Sequence, residues 1–580
     1  MRQTRAVAIA AVGLALLAVA TLAAPPFVKV APEGTLFFLH VRNVPALVES
    51  LKTHASFAVW QEPSVQQFLE APLARLNEEI RKAEGRAGVR LEELADIFQG
   101  QVALIVTEGE PVGAALLVEA KGKGERAMDV FGALLDLAAE RSPEFRLQRV
   151  EATISGARAV RLFAAGADAP AFVYALAGDT FLVGDAGSVE RMIGSLQATP
   201  ERSLESVPAY RDGLNRVGED SDVVAFVNVA GLGRLAQRLD RSGQAAPILL
   251  ALGIEGLPGA TLGVKVTPES TVQRIFIQLS GSQGLPRLLR MEPGPLHEPS
   301  DVPPDAATFA AYRVDFARLY DEIIAILGNV APQAVAALEM QEQQIAQTTG
   351  KAFHFRDDII GVFGPRVSMY SRFEPPYDPI RSQQTVFAVE IRSRAAFEGI
   401  LNIVGQTAPM ALAFMQPENY LGWQMYVFRA PTPPNAPPTT PDMPTPAIAV
   451  MEDRLLFSPN SEALRGHLRR LGKEGQSLAD LPDYQKAMRR LPPDPKLMVS
   501  FANPRYQVEM FIEMLRSGGS GPLSSALRRD ADIAAFLDLF DLQRLPPAAD
   551  VTKHLLPGAG CALALPDGIL IVADQPARQE

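Results

Sequence analysis

Six histidines, one cysteine and 66 acidic side chains are the groups from which this 580-residue chain would build proton transfer, nucleophilic attack or metal ligation. The histidines are His40, His54, His297, His354, His467 and His554. None has the neighbouring cysteines or the partner about three to five residues away that would preset a tetrahedral metal site. Their types and spacing read as structural or surface positions. His40, inside an apolar run and aligned near Tyr312, reads as a packing residue. The regularly spaced acids and glycine of a calcium loop are also missing. Cys561, set in CALAL, reads as a small buried hydrophobe rather than a nucleophile or redox thiol, and a lone cysteine excludes an intrachain disulfide. There is no G-x-S-x-G elbow to expose a serine to a base and oxyanion donors. KGKGER (Lys121 to Arg126) lacks the terminal hydroxyl and spacing of a phosphate-cradling loop, so it reads as a solvated turn.

Paired carboxylates can divide acid and base roles when their surroundings separate their pKa values. The pairs Glu92–Glu93 and Asp357–Asp358 sit at helix starts, where adjacent side chains diverge and the positive helix end favours acids. Glu119 and Glu390 each end a strand and occupy matched positions. All are read as structural. The expectation is a protein without catalytic, cofactor-binding or metal-ligating residues, and not an enzyme.

The elements around these residues follow a repeated grammar. TLFFLHV (Thr35 to Val41) has the apolar content of a buried strand, and Asn43 then precedes a helical pattern at Val44, Leu47, Val48 and Leu51. Asn43 can cap the free N–H groups of that helix, with Pro45 tolerated in its first turn. Asp315 before FARLYDEII, Asn228 after VVAFV and Asn503 after VSFA repeat the arrangement. QVALIV, GAALLVEA, FRLQRVEA, RAVRLFA, FVYALA and TFLVGD read as strands, with helices near Glu125 to Ala139 and Ser188 to Leu196. Strand pairs joined by short turns, with helices between the pairs, predict an α+β fold: antiparallel or mixed sheets covered on one side by helices, in a split βαβ manner.

The grammar repeats because the chain repeats. SLESVPAYRDGLNRVGED (Ser203 to Asp220) returns as SLADLPDYQKAMRRLPPD (Ser477 to Asp494). Asn43 matches Asp315 at an offset of 272, Glu92 matches Asp357 at 265, Lys121 matches Arg392 at 271, and Gly178 to Ile193 matches Glu452 to Leu468 near 274. LPGA recurs at Leu257 and Leu556, where the offset has grown to 299. Collinear pairs of this kind predict a duplicated domain with one late insertion in the second copy, around SGGSGP (Ser517 to Pro522) and Asp530 to Leu542. The expected organisation is an N-terminal segment 1–30, copy one at 31–281, a proline-rich linker at 282–302 and copy two at 303–580. PTPPNAPPTTPDMPTP (Pro431 to Pro446) reads as an extended hairpin loop of the second copy.

Charged residues make up 21% and apolar ones 47%, a globular composition, and the formal charge of −11 opposes nucleic-acid binding. Arg2 and Arg5 precede an apolar run from Ala6 to Ala24, a positive-then-hydrophobic start that directs export. Nineteen helical residues rise about 28 Å, close to the hydrocarbon thickness. The run therefore reads as an anchor with the body outside the cytoplasm; cleavage and secretion is the alternative, opposed by Pro25 and Pro26 as a mature start.

The signal-like start, the strand entering an Asn- or Asp-capped helix, the block Asp96 to Ala103 and the block GDTFLVGDAGSVERMI together resemble bacterial exported proteins known only as a domain of unknown function. That resemblance implies location and fold and carries over no catalytic residue. The functional expectation is a non-catalytic, membrane-anchored cell-envelope protein whose duplicated domain binds an envelope protein or component, with oligomeric state and ligand left open. The alternative is a carrier holding a lipid or peptide in an apolar cavity. A hydrolase stands third, with no motif in its favour.

Overall fold

The computed structural model describes residues 26–87, 97, 99–141, 147–198, 200–375, 377, 382–429, 444–471, 475–517 and 540–577. The N-terminal apolar run, the Glu92–Glu93 pair, most of the Pro431–Pro446 loop and most of the late insertion lie outside them. The chain divides into a unit of Met1–Ala58, Leu69–Gly243 and Leu257–Ser280, and a unit of Val59–Phe68, Gln244–Gly256 and Gly281–Glu580.

The strands of the first unit are β1 (Thr35–Val41), β2 (Val102–Thr107), β3 (Gly113–Glu119), β4 (Gln148–Ile154), β5 (Ala157–Phe163), β6 (Phe172–Ala177), β7 (Thr180–Gly184), β8 (Val223–Val227), β9 (Ala260–Val266) and β10 (Ser270–Gln278). Their order across the sheet is β10, β9, β8, β1, β2, β3, β7, β6, β5, β4, and every neighbouring pair is antiparallel. Helices α1 (Val44–Lys52), α2 (Gly124–Arg141), α3 (Ala186–Gln197), α4 (Pro208–Val217) and α5 (Val229–Leu239) join them.

The second unit contains β11 (Thr308–Arg313), β12 (Phe363–Phe373), β13 (Gln383–Ile391), β14 (Met415–Tyr420), β15 (Trp423–Phe428), β16 (Ala447–Val450), β17 (Arg454–Ser458), β18 (Lys496–Ala502), β19 (Gly558–Leu565) and β20 (Gly568–Pro576). Their order is β20, β19, β18, β11, β12, β13, β17, β16, β15, β14, again antiparallel throughout. Replacing each strand of the first order by the one ten later gives the second. The helices here include α6 (Ala245–Ala251), α7 (Phe316–Val330), α8 (Pro332–Thr349), α9 (Arg394–Thr407), α10 (Pro409–Ala413), α11 (Ser461–Arg470), α12 (Pro482–Arg489) and α13 (Pro504–Ser517).

The class is therefore α+β, with antiparallel sheets. Two finer expectations are corrected. In the first unit helices cover both sheet faces rather than one. Phe38, Ile105, Leu117 and Leu182 form one core with Val189, Met192 and Ile193 of α3, whereas Val102, Val118 and Phe181 form another with Val44 of α1 and Met128 of α2. Alternate residues of one strand point to opposite faces, and both faces here are apolar, so each needs a cover.

The second correction concerns boundaries. Phe27 and Val30 are fully buried in the first core, so the fold begins inside the segment assigned to 1–30. The proline-rich interval after Gly281 belongs to the second unit instead of bridging as a linker. Gly284 N–H donates to the buried Glu322 carboxylate of α7 at 2.5 Å, Arg287 pairs with it at 3.1 Å, and Asp301 pairs with Arg454 at 2.9 Å. These polar contacts fix a backbone that prolines already stiffen.

Matched sequence segments adopt matched packing. Leu204 N–H donates to Ala31 O and Leu478 N–H to Val302 O, at 2.8 and 2.9 Å. Tyr210 of α4 meets Phe38 and Phe226 edge-on, and Tyr484 of α12 meets Phe309 and Phe501 the same way. In each unit the two phenylalanines face each other across neighbouring strands. Edge-to-face contact of this kind stabilises by roughly 0.5–1.5 kcal/mol beyond area burial.

Candidate functional site

Glu119 and Glu390 occupy equivalent places and have equivalent partners. Gln101 N–H, entering β2, donates to Glu119 Oε2 at 3.0 Å, and Arg366 N–H, in β12, donates to Glu390 Oε2 at 3.2 Å. The Arg366 guanidinium adds bonds of 3.1 and 2.9 Å, and these hold the Glu390 carboxyl below its ordinary range. A glycine beside each carboxylate makes the approach possible: a Cβ on Gly100 or Gly364 would collide with the Glu119 or Glu390 side chain. The two glycines differ by one place in register, which the bulge between Phe363 and Val367 absorbs. These carboxylates tie one strand to the next.

The histidines stay apart and meet different partners. His40 Nε2 bonds Gln101 Oε1 at 3.1 Å between the rings of Phe27 and Phe38, and burial lowers its pKa to about 4. His467 Nδ1 bonds the Tyr370 hydroxyl at 3.1 Å and its Nε2 lies 3.9 Å from Asp301. Burial lowers the His467 pKa and raises that of Tyr370. The positions matching Tyr370 and His467 in the first unit are Ile105 and Ile193, both fully buried, so this polar pair replaces an apolar one. His297 bonds Ser368 at 3.0 Å, His354 bonds Glu342 at 3.2 Å and His554 bonds Glu62 at 2.7 Å. Among the described residues no three His, Cys, Asp or Glu side chains converge as a metal site would require.

The other nominated residues are structural in place. Cys561 is fully buried in β19, and burial raises its pKa, which disfavours the reactive thiolate. Lys121 and Gly122 take positive φ in a turn where Gly122 N–H donates to Asp179 at 2.8 Å, and Gly124 to Arg126 then begin α2, so KGKGER is a turn entering a helix. Asp358 accepts from His354 N–H at 2.7 Å and Asp357 pairs with Arg356 at 3.2 Å.

A surface in the second unit is the feature that residue-type reasoning did not find. There α6 packs on α7, α7 on α8, α8 on α9 and α9 on α10. The apolar helix α7 has Glu322 as its only fully buried residue, α6 and α8 have none, and α9 has Phe397. By contrast α1, matched to α7, buries Val44, Pro45 and Leu47. The layer consequently leaves Leu250 70%, Met340 63% and Met410 73% exposed, with Ile323, Val330 and Phe414 also open to solvent. The hint in the sequence is the apolar content of α7, which reads equally well as core.

A cleft of about 530 Å³ also opens in the second unit, lined by His297, Tyr484, Met488, Leu491 and Val499 among others. Burial pushes Tyr484 up to about 12 and His297 below its usual value, so both are neutral near pH 7. This volume lies in the range of small-molecule sites, roughly 300–1,000 Å³.

No family model matches the chain, and no curated protein matches it. Among solved structures, crystal form IV of TP0453 aligns at 10% identity with a TM-score of 0.23, covering 44% of this chain and 81% of that one. Crystal form III of TP0453 aligns at 10% identity and TM-score 0.23, covering 46% and 88%.

Proposed function

We propose that this chain is a non-catalytic, membrane-anchored cell-envelope protein, built by duplication of one α+β domain, that docks a protein partner through the helical layer of its second unit. The observation that carries the reading is the unpartnered apolar surface of α6, α7, α8 and α10, since contiguous apolar exposure on an otherwise well-packed domain marks an interaction site. The duplication is supported by the shared strand order, by the paired Phe–Tyr–Phe clusters and by the paired strand-end carboxylates. Anchoring is supported by the positive-then-apolar start, followed after two prolines by the buried Phe27, which would hold the first unit close to the bilayer surface.

Docking is favoured over carriage because both faces of the first unit's sheet are covered by mutually packed apolar side chains. The test is site-directed photocrosslinking of the full chain in cells. A photoreactive residue at Leu250, Met340 or Met410 is expected to give the same discrete adduct in the membrane fraction, while one at the exposed Arg241 gives none. Uniform absence of adducts from all three layer positions sinks the reading.

A further inference from the structure

A second cavity of the second unit, about 380 Å³, is bounded by three arginines that come from three separate elements. Arg313 ends β11, Arg318 lies in the first turn of α7, and Arg392 follows β13. Arg313 donates to the Pro295 carbonyl at 3.3 Å and Arg318 to the Arg290 carbonyl at 2.6 Å. Arg392 is exposed and its guanidinium lies beside Gly361. Among the described residues none of the three pairs with a carboxylate, whereas neighbouring Arg287, Arg356 and Arg366 all do. The two acids at the rim, Glu292 and Asp315, leave a surplus of one positive charge, and Asp315 Oδ1 is engaged by Arg318 N–H as the helix cap.

Folding does not require the Arg318 charge: the first unit forms the same capped helix with Ala46 in its place, while by strand register Arg313 answers Arg42 and Arg392 answers Lys121. Lys121, unlike Arg392, is drawn to its own strand's Glu119 at 3.7 Å. Three unpaired guanidiniums collected around one concavity, in a chain of net charge −11, are a local reversal of sign. Guanidinium forks match oxyanions, and donors arriving from three elements suit a tetrahedral group better than a planar carboxylate.

We propose that the cavity bounded by Arg313, Arg318 and Arg392 binds a phosphate group, either as inorganic phosphate or as the phosphodiester head of a lipid. Apolar side chains of Met291, Phe316, Ile360 and Phe363 line the rest of the wall and would contact the glycerol or other carbon attached to a diester. The site shares only the first turn of α7 with the exposed helical layer and does not depend on the docking reading.

The experiment is isothermal titration of the full chain in neutral detergent with inorganic phosphate and with glycerophosphoglycerol. Saturable binding that weakens as salt rises is expected for at least one of them; tighter binding of the diester assigns the lipid head, tighter binding of phosphate the free ion. Arg392→Gln removes an exposed group, and Arg318→Ala installs the residue that the matched helix carries, so both variants should melt as the wild type does. Each should weaken binding about tenfold or more, as loss of one charge-assisted contact implies, while Arg241→Gln leaves it unchanged. No saturable heat with either ligand up to roughly 10 mM, or wild-type affinity in both variants, overturns the site.

Discussion

His40 couples the stability of the first unit to pH. Desolvation is the main cause of its low pKa of about 4, opposed by the bond to Gln101 and reinforced by the positive charge of Arg42. In the unfolded chain the same ring titrates near 6.5, so between these values the unfolded state binds the proton more tightly. Stability from this group is full above pH 6.5 and is lost as pH falls toward 4, by up to about 3 kcal/mol for a shift of this size. His40→Leu should abolish that component: the difference in urea midpoint between variant and wild type should change from pH 7 to pH 4.5, and a constant difference would show that His40 does not titrate as described. Residue types alone placed His40 inside an apolar strand and Glu119 and Glu390 at matched strand ends, and in the structure they bond Gln101 Oε1, Gln101 N–H and Arg366 N–H respectively. Their partners were not legible, because Gln101 and Arg366 reach these carboxylates through backbone N–H groups of neighbouring strands. The Tyr370–His467 bond spans 97 residues and depends equally on tertiary register.

The helix starts are where element and sequence agree most closely. Asn43, Asn228 and Asp315 each accept the N–H three residues on, at 3.0, 2.8 and 2.9 Å, and Asn503 accepts from Arg505 N–H at 3.2 Å. Each cap satisfies a donor that the helix leaves free, and its short polar side chain is a local signal readable without the fold. Asn228 does more, since its Nδ2 donates to the carbonyl of buried Thr35 at 3.3 Å and so joins α5 to β1. Asn228→Ala should therefore cost about 1–2 kcal/mol in chemical denaturation, at the upper end for a cap, while Asn228→Asp keeps the acceptor and loses less. Equal losses in both would transfer the effect from the cap to the Thr35 bond. Helix α8 and the long helix Pro63–Ala87 were not legible, because their polar, weakly periodic sequences give no sharp apolar face. The exposure of α6 and α7 was hidden for the opposite reason: an apolar helix reads as core until its neighbours are known.

At the scale of the whole molecule, repetition supplied an equation without its solution. The segment pairs required any arrangement taken by one half to recur in the other, yet no list of strands dictates that β1 lies between β2 and β8, or that β3 turns away to meet β7. Strand order is set by which apolar faces can be covered together, and that follows from pairings far apart in sequence. If both halves descend from one domain, matched core positions should carry similar energetic weight, because each fills the same space between the same elements. Leu182 of β7 and Leu456 of β17 are matched at an offset of 274, and both are almost wholly buried. Each borders the same two strands: β3 and β6 for Leu182, β13 and β16 for Leu456. Leu182→Ala and Leu456→Ala should each destabilise the unit that holds it by about 2–5 kcal/mol, the span set by how far the cavity collapses. Native-state hydrogen exchange on the full chain can read the two losses separately, with β6 and β7 amides reporting the first and β16 and β17 amides the second. Losses that agree within about 1 kcal/mol would support a common ancestral core, since contacts outside the shared framework alter such costs by comparable amounts. A full loss at Leu182 beside almost none at Leu456 would mean that the halves share a strand order but not the packing from which a duplication is inferred.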